Sequence, residues 1–163
     1  MTVTLTPMDD LRRKPWLASI RAEYVKSRML AGETEEQARD NADRSFERSF
    51  DDDGRPQRGH LIFDVVADGG AVGYLWLGPQ NPPAPGAWWI WDISIDEQHR
   101  RHGYGRQAML LGEEEVGRRG GRVLGLNVFG FNTGARALYE SLGYETTAVQ
   151  MQKRLGADLP DRD

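Results

Sequence analysis

Apolar residues recur with two different periods along this chain, and the change of period divides it into two parts. Between Pro15 and Gly32 they include Trp16, Ile20 and Tyr24, which have the spacing of one face of a helix. From residue 60 onwards they form short runs rich in β-branched and aromatic types, as strands do. The sequence therefore predicts helices near the N-terminus and a sheet built mainly from the remainder.

Two helices are predicted in the N-terminal part. The first opens at Pro15, where a missing N–H costs nothing, and stops before Gly32. Thr34 and Gln37 have the spacing of a capping box, so a second helix should begin there and end near Phe50. Because the apolar face of this second helix is thin, we expect it to lie on the surface.

The other segments predict strands, a hairpin and two further helices. A glycine turn at 68–70 joins two strands, and the proline-rich segment 78–86 is a loop that either borders a site or is disordered. A strand, a helix and a strand then follow in that order, which implies parallel pairing. The predicted strands are 2–6, 60–66, 71–77, 88–95, 123–129 and 144–155, and the further helices are 105–118 and 133–143.

Composition narrows the classes of function. A length of 163 residues suits one domain, and a net charge of −4 argues against a general nucleic-acid binder. The absence of cysteine excludes disulfides and thiolate catalysis, and three histidines without ligand spacing predict no metal site. The sequence shows neither a signal peptide nor an apolar run of the roughly 20 residues that span a bilayer. We expect a cytoplasmic protein that acts without a membrane or nucleic acid.

A basic glycine loop separates a predicted strand from the next helix. Gly103 and Gly105 let backbone N–H groups at the helix start approach an anion closely. Cations at this position (Arg100, Arg101 and Arg106) oppose the helix dipole by about 0.3–1 kcal/mol each unless an anion compensates. A phosphate-bearing ligand is therefore favoured over a turn that needs glycine only for its geometry.

The spacing Gly103-x-Gly105-x-x-Ala108 also matches a dinucleotide-binding fingerprint. However, the next strand ends without the carboxylate that would hold a ribose, and no Gly-Lys-Ser/Thr follows as in a P-loop. A nicotinamide- or flavin-dependent enzyme is disfavoured for this reason.

The sequence contains two motifs, Arg100-x-x-Gly103-x-Gly105 and Leu126-Asn127 … Asn132 … Ala135 … Leu138-Tyr139 … Leu142-Gly143-Tyr144. In composition and in their separation along the chain, these motifs resemble those of the GNAT superfamily of N-acetyltransferases. The resemblance covers about residues 88–144. It implies an α/β (α+β) fold in a single domain over residues 1–155. Its central mixed, twisted sheet would have six to seven strands flanked by four helices. We expect residues 156–163 to form a flexible C-terminal tail.

The resemblance also implies acetyl-CoA as a cosubstrate, without a metal. Main-chain groups of Ile93 and Ile95 would bind its acetyl and pantetheine arm at a splayed strand edge. Asn132 would contact the pantetheine or a nearby water, or would only cap its helix. Tyr139 would protonate the departing thiolate, unless it is a core tyrosine. The loop residues that would hold the pyrophosphate are Arg100, Arg101, His102, Gly103, Tyr104, Gly105 and Arg106.

Asp92 is the lone carboxylate in an otherwise apolar strand. Burial raises the pKa of a carboxyl group towards a value useful in a general base, which has to take a proton from the amine. Strand alternation places Asp92 with Ile90 and Ser94, opposite Trp91 and Ile93. The other readings are a water path for the proton and a buried aspartate that is hydrogen-bonded to the loop.

The acceptor end of the site is less defined. Asn127 and Trp91 are candidate substrate-binding residues, although a structural hydrogen bond and core packing explain them equally well. The sequence predicts transfer of an acetyl group from acetyl-CoA to a primary amine of a small molecule or peptide, by direct attack in a ternary complex. A homodimer is compatible with this. The alternative is a non-catalytic CoA-binding sensor or scaffold, and the presence of both Tyr139 and Asp92 favours the enzyme.

Overall fold

The computed structural model describes residues 2–153 and residue 155, and in this part of the chain one mixed sheet carries four α-helices. The strands follow their sequence order across the sheet. The first four pair antiparallel, and the last pairs in parallel. The strands are β1 (Val3–Pro7), β2 (Leu61–Ala67), β3 (Gly70–Pro79), β4 (Ala87–Ile95) and β5 (Val123–Leu126). The helices are α1 (Asp10–Leu30), α2 (Glu35–Ser49), α3 (Tyr104–Arg118) and α4 (Thr133–Ser141). The predicted mixed α/β architecture with four helices is confirmed.

Capping side chains set the start of both N-terminal helices. The Thr34 hydroxyl accepts the Gln37 N–H at 3.2 Å, and the Thr34 N–H donates to the Gln37 side chain at 3.0 Å, which confirms the capping box of α2. The prediction that α1 opens at Pro15 is wrong. Asp9 caps α1 by accepting the Arg12 N–H at 2.9 Å, so Pro15 lies inside the helix.

The sheet has a different hydrophobic core on each face. On one face α3 packs against the strands, and Leu75 and Met109 are fully buried there. On the other face α1 and α2 cover an aromatic cluster centred on Trp76 and Phe50, whose rings lie 5.1 Å apart. Of the two catalytic candidates, Asp92 contacts Tyr74 of the aromatic cluster, and Tyr139 packs with the core beneath α3.

The expectation that α2 lies on the surface is confirmed, because most of its side chains are exposed and only a narrow face is covered. Ala38 and Ala42 are fully buried, and Phe50 at its end is 5% exposed. Alanines lower the apparent hydrophobicity of a helix face, yet they let a neighbouring helix approach closely, and α1 is that neighbour. A thin apolar face here indicates tight packing.

The β2–β3 hairpin turns where the sequence predicts it. Asp68 and Gly69 both have positive φ, of 52° and 80°, which the two central residues of a tight hairpin turn require. β3 then continues to Pro79, which pairs with Trp88 of β4. The loop between these strands therefore spans 80–86 rather than the predicted 78–86.

A bulge at Trp91 interrupts the alternation of β4. Its neighbours Ile90 and Asp92 pair with consecutive residues of β3, so Trp91 is the extra residue of the bulge and has no partner in the β3–β4 register. Ile90 packs in the core beneath α3, together with Ile93. Trp91 stacks on Trp76 on the opposite face, with ring centroids 5.7 Å apart. The predicted grouping of Asp92 with Ile90, and of Trp91 with Ile93, is wrong because of this bulge.

The same bulge ends the pairing of β4 with β5. The two strands pair only from Ala87 to Ile90 on β4 and from Val123 to Leu126 on β5. A bulge bends its strand, so the remainder of β4 turns an unpaired edge towards the gap. The splayed edge that the resemblance implies is therefore present. The prediction that β5 reaches residue 129 is wrong, and Asn127 lies just beyond the strand.

The predicted closing strand over 144–155 is absent from the described part of the chain, since residues 144–153 and 155 form no regular secondary structure. Counted over the described residues, the sheet has five strands, fewer than the six to seven predicted. The predicted tail over 156–163 lies outside the described residues. No helix in the described ranges is long and apolar enough to cross a membrane.

Candidate active site

The basic glycine loop joins the end of β4 to α3, as the sequence predicts. A 3-10 turn over Glu97–His99 comes first, and Gly103 then caps α3 with a left-handed backbone, φ +80°. The Gln107 N–H donates to the Gly103 carbonyl at 3.1 Å and closes the first helical turn. Helix geometry gives the preceding N–H groups no acceptor within the helix. This end of α3 is therefore suited to binding an anion.

The charge around this loop is one-sided. Arg100, Arg101 and Arg106 are all exposed, and the first turn of α3 carries no acidic residue. Arg100 Nε donates to the Ile95 carbonyl at 2.9 Å, and an Arg106 guanidinium nitrogen donates to the Ser141 hydroxyl at 2.6 Å. A guanidinium carries more N–H donors than these contacts use. The structure thus places three cations beside a helix N-terminus that itself favours negative charge.

The space beside Gly103 is open. A side-chain carbon built on Gly103 would meet no atom within 4 Å, and its positive φ favours glycine. His102 is exposed, and its ring stacks on that of Tyr104 at 5.6 Å. Tyr104 is only 7% exposed, because its ring belongs to the core beneath α3. Of Tyr104, only the main chain is placed to serve a ligand in the loop.

Asp92 is held in a largely apolar setting on the aromatic face of the sheet. The Tyr74 hydroxyl donates to Asp92 Oδ2 at 2.8 Å, and the Ile93 N–H also donates to the carboxylate. Burial is the largest influence and raises the pKa of Asp92 above its usual range, while these two hydrogen bonds oppose the rise. As predicted, desolvation raises the pKa of Asp92, although its side chain is only partly buried. Its hydrogen-bond partner is a tyrosine of β3 rather than the loop.

Tyr139 lies on α4, the helix that follows β5 along the chain. It projects from α4 and packs with the core beneath α3, with its ring 6.0 Å from that of Tyr144. Burial raises the pKa of Tyr139, and the negative charge of Asp92 raises it further. Asp92 and Tyr139 are therefore close enough for the charge of the carboxylate to act on the phenol.

The main-chain groups assigned to the cofactor lie along the unpaired edge of β4. Ile93 and Ile95 follow the bulge, and their side chains pack in the core beneath α3. The Ile93 N–H donates to the Asp92 carboxylate, and the Ile95 carbonyl accepts a hydrogen bond from Arg100 Nε. Each residue thus already uses one of its two main-chain polar groups within the chain.

The other predicted site residues, Asn132, Asn127 and Trp91, lie in three different environments. Asn132 caps α4 by accepting the Ala135 N–H at 3.3 Å, as predicted, and it is exposed. Asn127 is exposed after the end of β5. The Trp91 indole N–H donates to the Pro79 carbonyl at 3.2 Å, so its polar group is used structurally. Any contact of Asn127 or Trp91 with an acceptor stays a prediction.

Three residues near Asp92 were not singled out by the sequence. An alignment of β3 with β4 would have identified Tyr74, because it lies opposite Ser94, two residues from Asp92 on the same face of the strand. Trp16 of α1 packs edge-on against Tyr74, with ring centroids 5.5 Å apart. His60 accepts the Trp76 indole N–H at 3.0 Å, and burial lowers its pKa to about 4. His60 is therefore neutral near pH 7, and nothing in its local sequence signals this role.

Within residues 2–153 and 155, no group of three or more His, Asp or Glu side chains is arranged to hold a metal ion.

Known proteins resemble this chain in both sequence and fold. The profile of the Acetyltransferase (GNAT) family matches residues 18–144. The uncharacterized N-acetyltransferase YycN of Bacillus subtilis is 30% identical over 158 residues, which cover 95% of this chain and 100% of YycN. The crystal structure of YycN has a TM-score of 0.85 at 29% identity and covers 96% of this chain and 100% of that one. An aminoglycoside N-acetyltransferase, AAC(6')-Iy in complex with CoA, shares the fold with a TM-score of 0.59 at 14% identity, over 96% of each chain. This chain belongs to the GNAT family of acetyltransferases and is an acyltransferase.

Proposed function

We propose that the chain transfers an acetyl group from acetyl-CoA to a primary amine, by direct attack in a ternary complex. The observation that carries this proposal is the pairing of two features on one strand. Asp92 is a partly buried carboxylate with a raised pKa on β4, and the same strand leads into the start of α3, which is suited to binding an anion. A reacting centre and a phosphate anchor are thus held at a fixed separation.

The loop is proposed to anchor the pyrophosphate of CoA. The main-chain N–H groups of residues 102–106 would donate to the pyrophosphate, and Arg100, Arg101 and Arg106 would add positive charge. Main-chain groups of Ile93 and Ile95 and the side chain of Asn132 would hold the pantetheine arm along the splay. When bound, acetyl-CoA supplies an activated thioester carbonyl. The CoA complex of the aminoglycoside N-acetyltransferase, which shares this fold, supports the choice of CoA.

Asp92 is proposed to be the general base. Amines are mostly protonated at neutral pH, so a proton has to leave before the nitrogen can attack. Burial raises the pKa of Asp92, which makes its carboxylate a better proton acceptor than an exposed one. Tyr74 fixes the orientation of this carboxylate through its 2.8 Å hydrogen bond. The proton passes to Asp92 directly or through one water molecule.

Tyr139 is proposed to be the general acid. Its raised pKa keeps the hydroxyl protonated at neutral pH, so it can donate a proton to the departing sulfur. Asp92 contacts Tyr74 of the aromatic face, whereas Tyr139 packs with the core beneath α3, so the proposed base and acid are distinct groups with separate surroundings.

The acceptor is proposed to be a primary amine of a small molecule or peptide, bound near Trp91 and Asn127. The reaction needs neither nucleic acid nor a membrane surface, and the net charge of −4 suits an amine that arrives as a cation. We place the protein in the cytoplasm, where acetyl-CoA would be available to it.

Steady-state kinetics across a panel of primary amines test this function. Release of the CoA thiol is easily followed because the chain has no cysteine of its own. Acetylated product by mass spectrometry and intersecting double-reciprocal plots are expected for a ternary complex, whereas parallel plots would indicate a covalent acetyl-enzyme. Tight binding of acetyl-CoA in calorimetry with no turnover of any amine would instead favour a CoA-binding sensor or scaffold.

A further inference from the structure

The run Glu113-Glu114-Glu115 on α3 contains one carboxylate that is turned into the protein. Glu114 and Glu115 each form an ion pair with an arginine one turn further along the helix, at 3.3 and 2.7 Å. Glu113 lies four residues after Met109 and three before Val116, and both of these are buried. Residues at this spacing share one face of a helix. Oε1 of Glu113 is buried on that face.

The Tyr144 hydroxyl, just after α4, is the neighbour of this carboxylate. Burial raises the pKa of Tyr144 above its usual range, and the Glu113 carboxylate raises it further. The Tyr144 hydroxyl oxygen and Glu113 Oε1 are both buried, and neither has a well-aligned hydrogen bond to another described residue. Buried polar atoms in this condition are rare in folded proteins, because they have lost their contacts with water. Two of them therefore lie side by side against the core beneath α3.

Tyr144 also contacts Tyr139, the proposed general acid. Their ring centroids are 6.0 Å apart, and the Tyr144 N–H donates to the Tyr139 carbonyl at 3.0 Å. The Tyr139 phenol adds to the rise in the pKa of Tyr144, and the Asp92 charge raises the pKa of Tyr139. Each group therefore acts on the next in the order Asp92, Tyr139, Tyr144, Glu113, and this row has a carboxylate at each end.

We infer that Glu113 acts through Tyr144 as a positioning residue for Tyr139. When Glu113 accepts a hydrogen bond from the Tyr144 hydroxyl, the Tyr144 oxygen turns a lone pair, rather than its proton, towards Tyr139. A phenolate at Tyr139 is disfavoured beside this oxygen and the carboxylate charge behind it, so Tyr139 keeps the proton that it gives to the departing sulfur. On α4 itself, Arg136 and Glu140 pair with each other at 3.9 Å. This role rests on the function proposed above, in which Tyr139 is the general acid.

The pH dependence of kcat tests this role. Glu113→Gln keeps the size of the side chain and removes its charge, so the Tyr139 phenol should ionise more easily. We expect the basic limb of the kcat profile to move to lower pH by roughly half a unit or more, with the KM for acetyl-CoA unchanged. Glu114→Gln is the matched control, because it removes an equal charge from the next position on α3, where the carboxylate is exposed. Coincident profiles of the two variants would overturn the inference.

A double-variant cycle tests the path through Tyr144. In a Tyr144→Phe background, Glu113→Gln should no longer move the basic limb, because the hydroxyl that connects Glu113 to Tyr139 is gone. Shifts of equal size in both backgrounds would show that Glu113 acts without Tyr144 and would overturn the path. Circular dichroism checks that each variant is folded.

A measurement without substrates separates this role from the proposed function. The NMR chemical shift of Tyr139 Cζ reports the surroundings of its hydroxyl, in protein labelled at its five tyrosines and assigned with Tyr139→Phe. Glu113→Gln should change this shift at neutral pH, and Glu114→Gln should not. An unchanged shift would overturn the inference whatever the activity. A changed shift, in a protein whose kcat is insensitive to Tyr139→Phe, would support the action of Glu113 on Tyr139 and reject Tyr139 as the general acid.

Discussion

The hydroxyl of Tyr74 donates a 2.8 Å hydrogen bond to Oδ2 of Asp92, from one strand of the sheet to the next. Tyr74 lies opposite Ser94, and Asp92 lies opposite Trp76, so the contact is diagonal across the ladder. The bulge at Trp91 turns Asp92 to this face of the sheet. One extra residue in β4 therefore produces both the tyrosine–carboxylate pair and the gap beside it.

Replacing Asp92 with Asn should remove the proposed base while keeping the shape of the side chain. We expect kcat to fall by about 10²–10⁴-fold, the usual contribution of general base catalysis, with little change in the affinity for CoA measured by calorimetry. Unchanged kcat at saturating amine would show that a water path, rather than Asp92, removes the proton.

Replacing Tyr74 with Phe should change the pH dependence of the reaction. The Tyr74 hydrogen bond lowers the pKa of Asp92 against the larger effect of burial, so its loss raises that pKa further. Asp92 must be ionised to accept a proton, and the acidic limb of the kcat profile should therefore move to higher pH. Tyr24→Phe is the control, since the Tyr24 hydroxyl contacts Arg28, away from Asp92. A Tyr74→Phe profile that coincides with the control would rule out a positioning role.

Replacing Tyr139 with Phe should slow the step in which the thiol leaves. We expect kcat with acetyl-CoA to fall by about 10²-fold or more, because general acid catalysis is lost. An acetyl thioester of a more acidic thiol needs less protonation and should lose less activity. An equal loss with both donors would indicate that Tyr139 only packs against the core.

The sequence predicts some parts of this site well because their signals are local. The capping box at Thr34 and Gln37, the glycine loop and the Asn132 cap each depend on residues within one turn, and all three are found where they were expected. The bulge at Trp91 depends on the register between β3 and β4, which no short stretch of sequence records. The partnership of Tyr74 with Asp92 was missed for the same reason.

The C-terminal part illustrates a different limit. The apolar alternation that predicts a strand at 144–155 is present, with Val149 and Met151 on one face, yet a strand needs a partner to form its hydrogen bonds. A period of two shows that a segment is able to pair, but it does not identify the strand with which the segment pairs.

Replacing Arg101 with Asn should weaken CoA binding without straining the loop. Arg101 has a positive φ of 66°, which Asn tolerates well, so the change removes charge and leaves the backbone favourable. We expect the Kd for CoA to rise roughly fivefold, equivalent to about 1 kcal/mol, while the affinity for pantetheine, which lacks the pyrophosphate, stays the same. Arg39→Gln on α2, where the arginine pairs with Glu35, should change neither. Equal weakening of CoA and pantetheine would place the role of Arg101 outside pyrophosphate binding.

The Asp92→Asn change should also alter stability, in the direction opposite to its effect on activity. Burial raises the pKa of Asp92 in the folded chain, so the native state binds more protons than the unfolded state between the ordinary pKa of about 4 and the raised value. Stability is then lost as pH rises through this window, because above it a charged carboxylate must stay buried. Asparagine carries no charge and still accepts a hydrogen bond from Tyr74. We expect Asp92→Asn to raise the Tm at pH 7 and the two Tm values to converge below about pH 4. A Tm at pH 7 below that of the unsubstituted chain would show that the contacts of the carboxylate stabilise the fold by more than its burial costs.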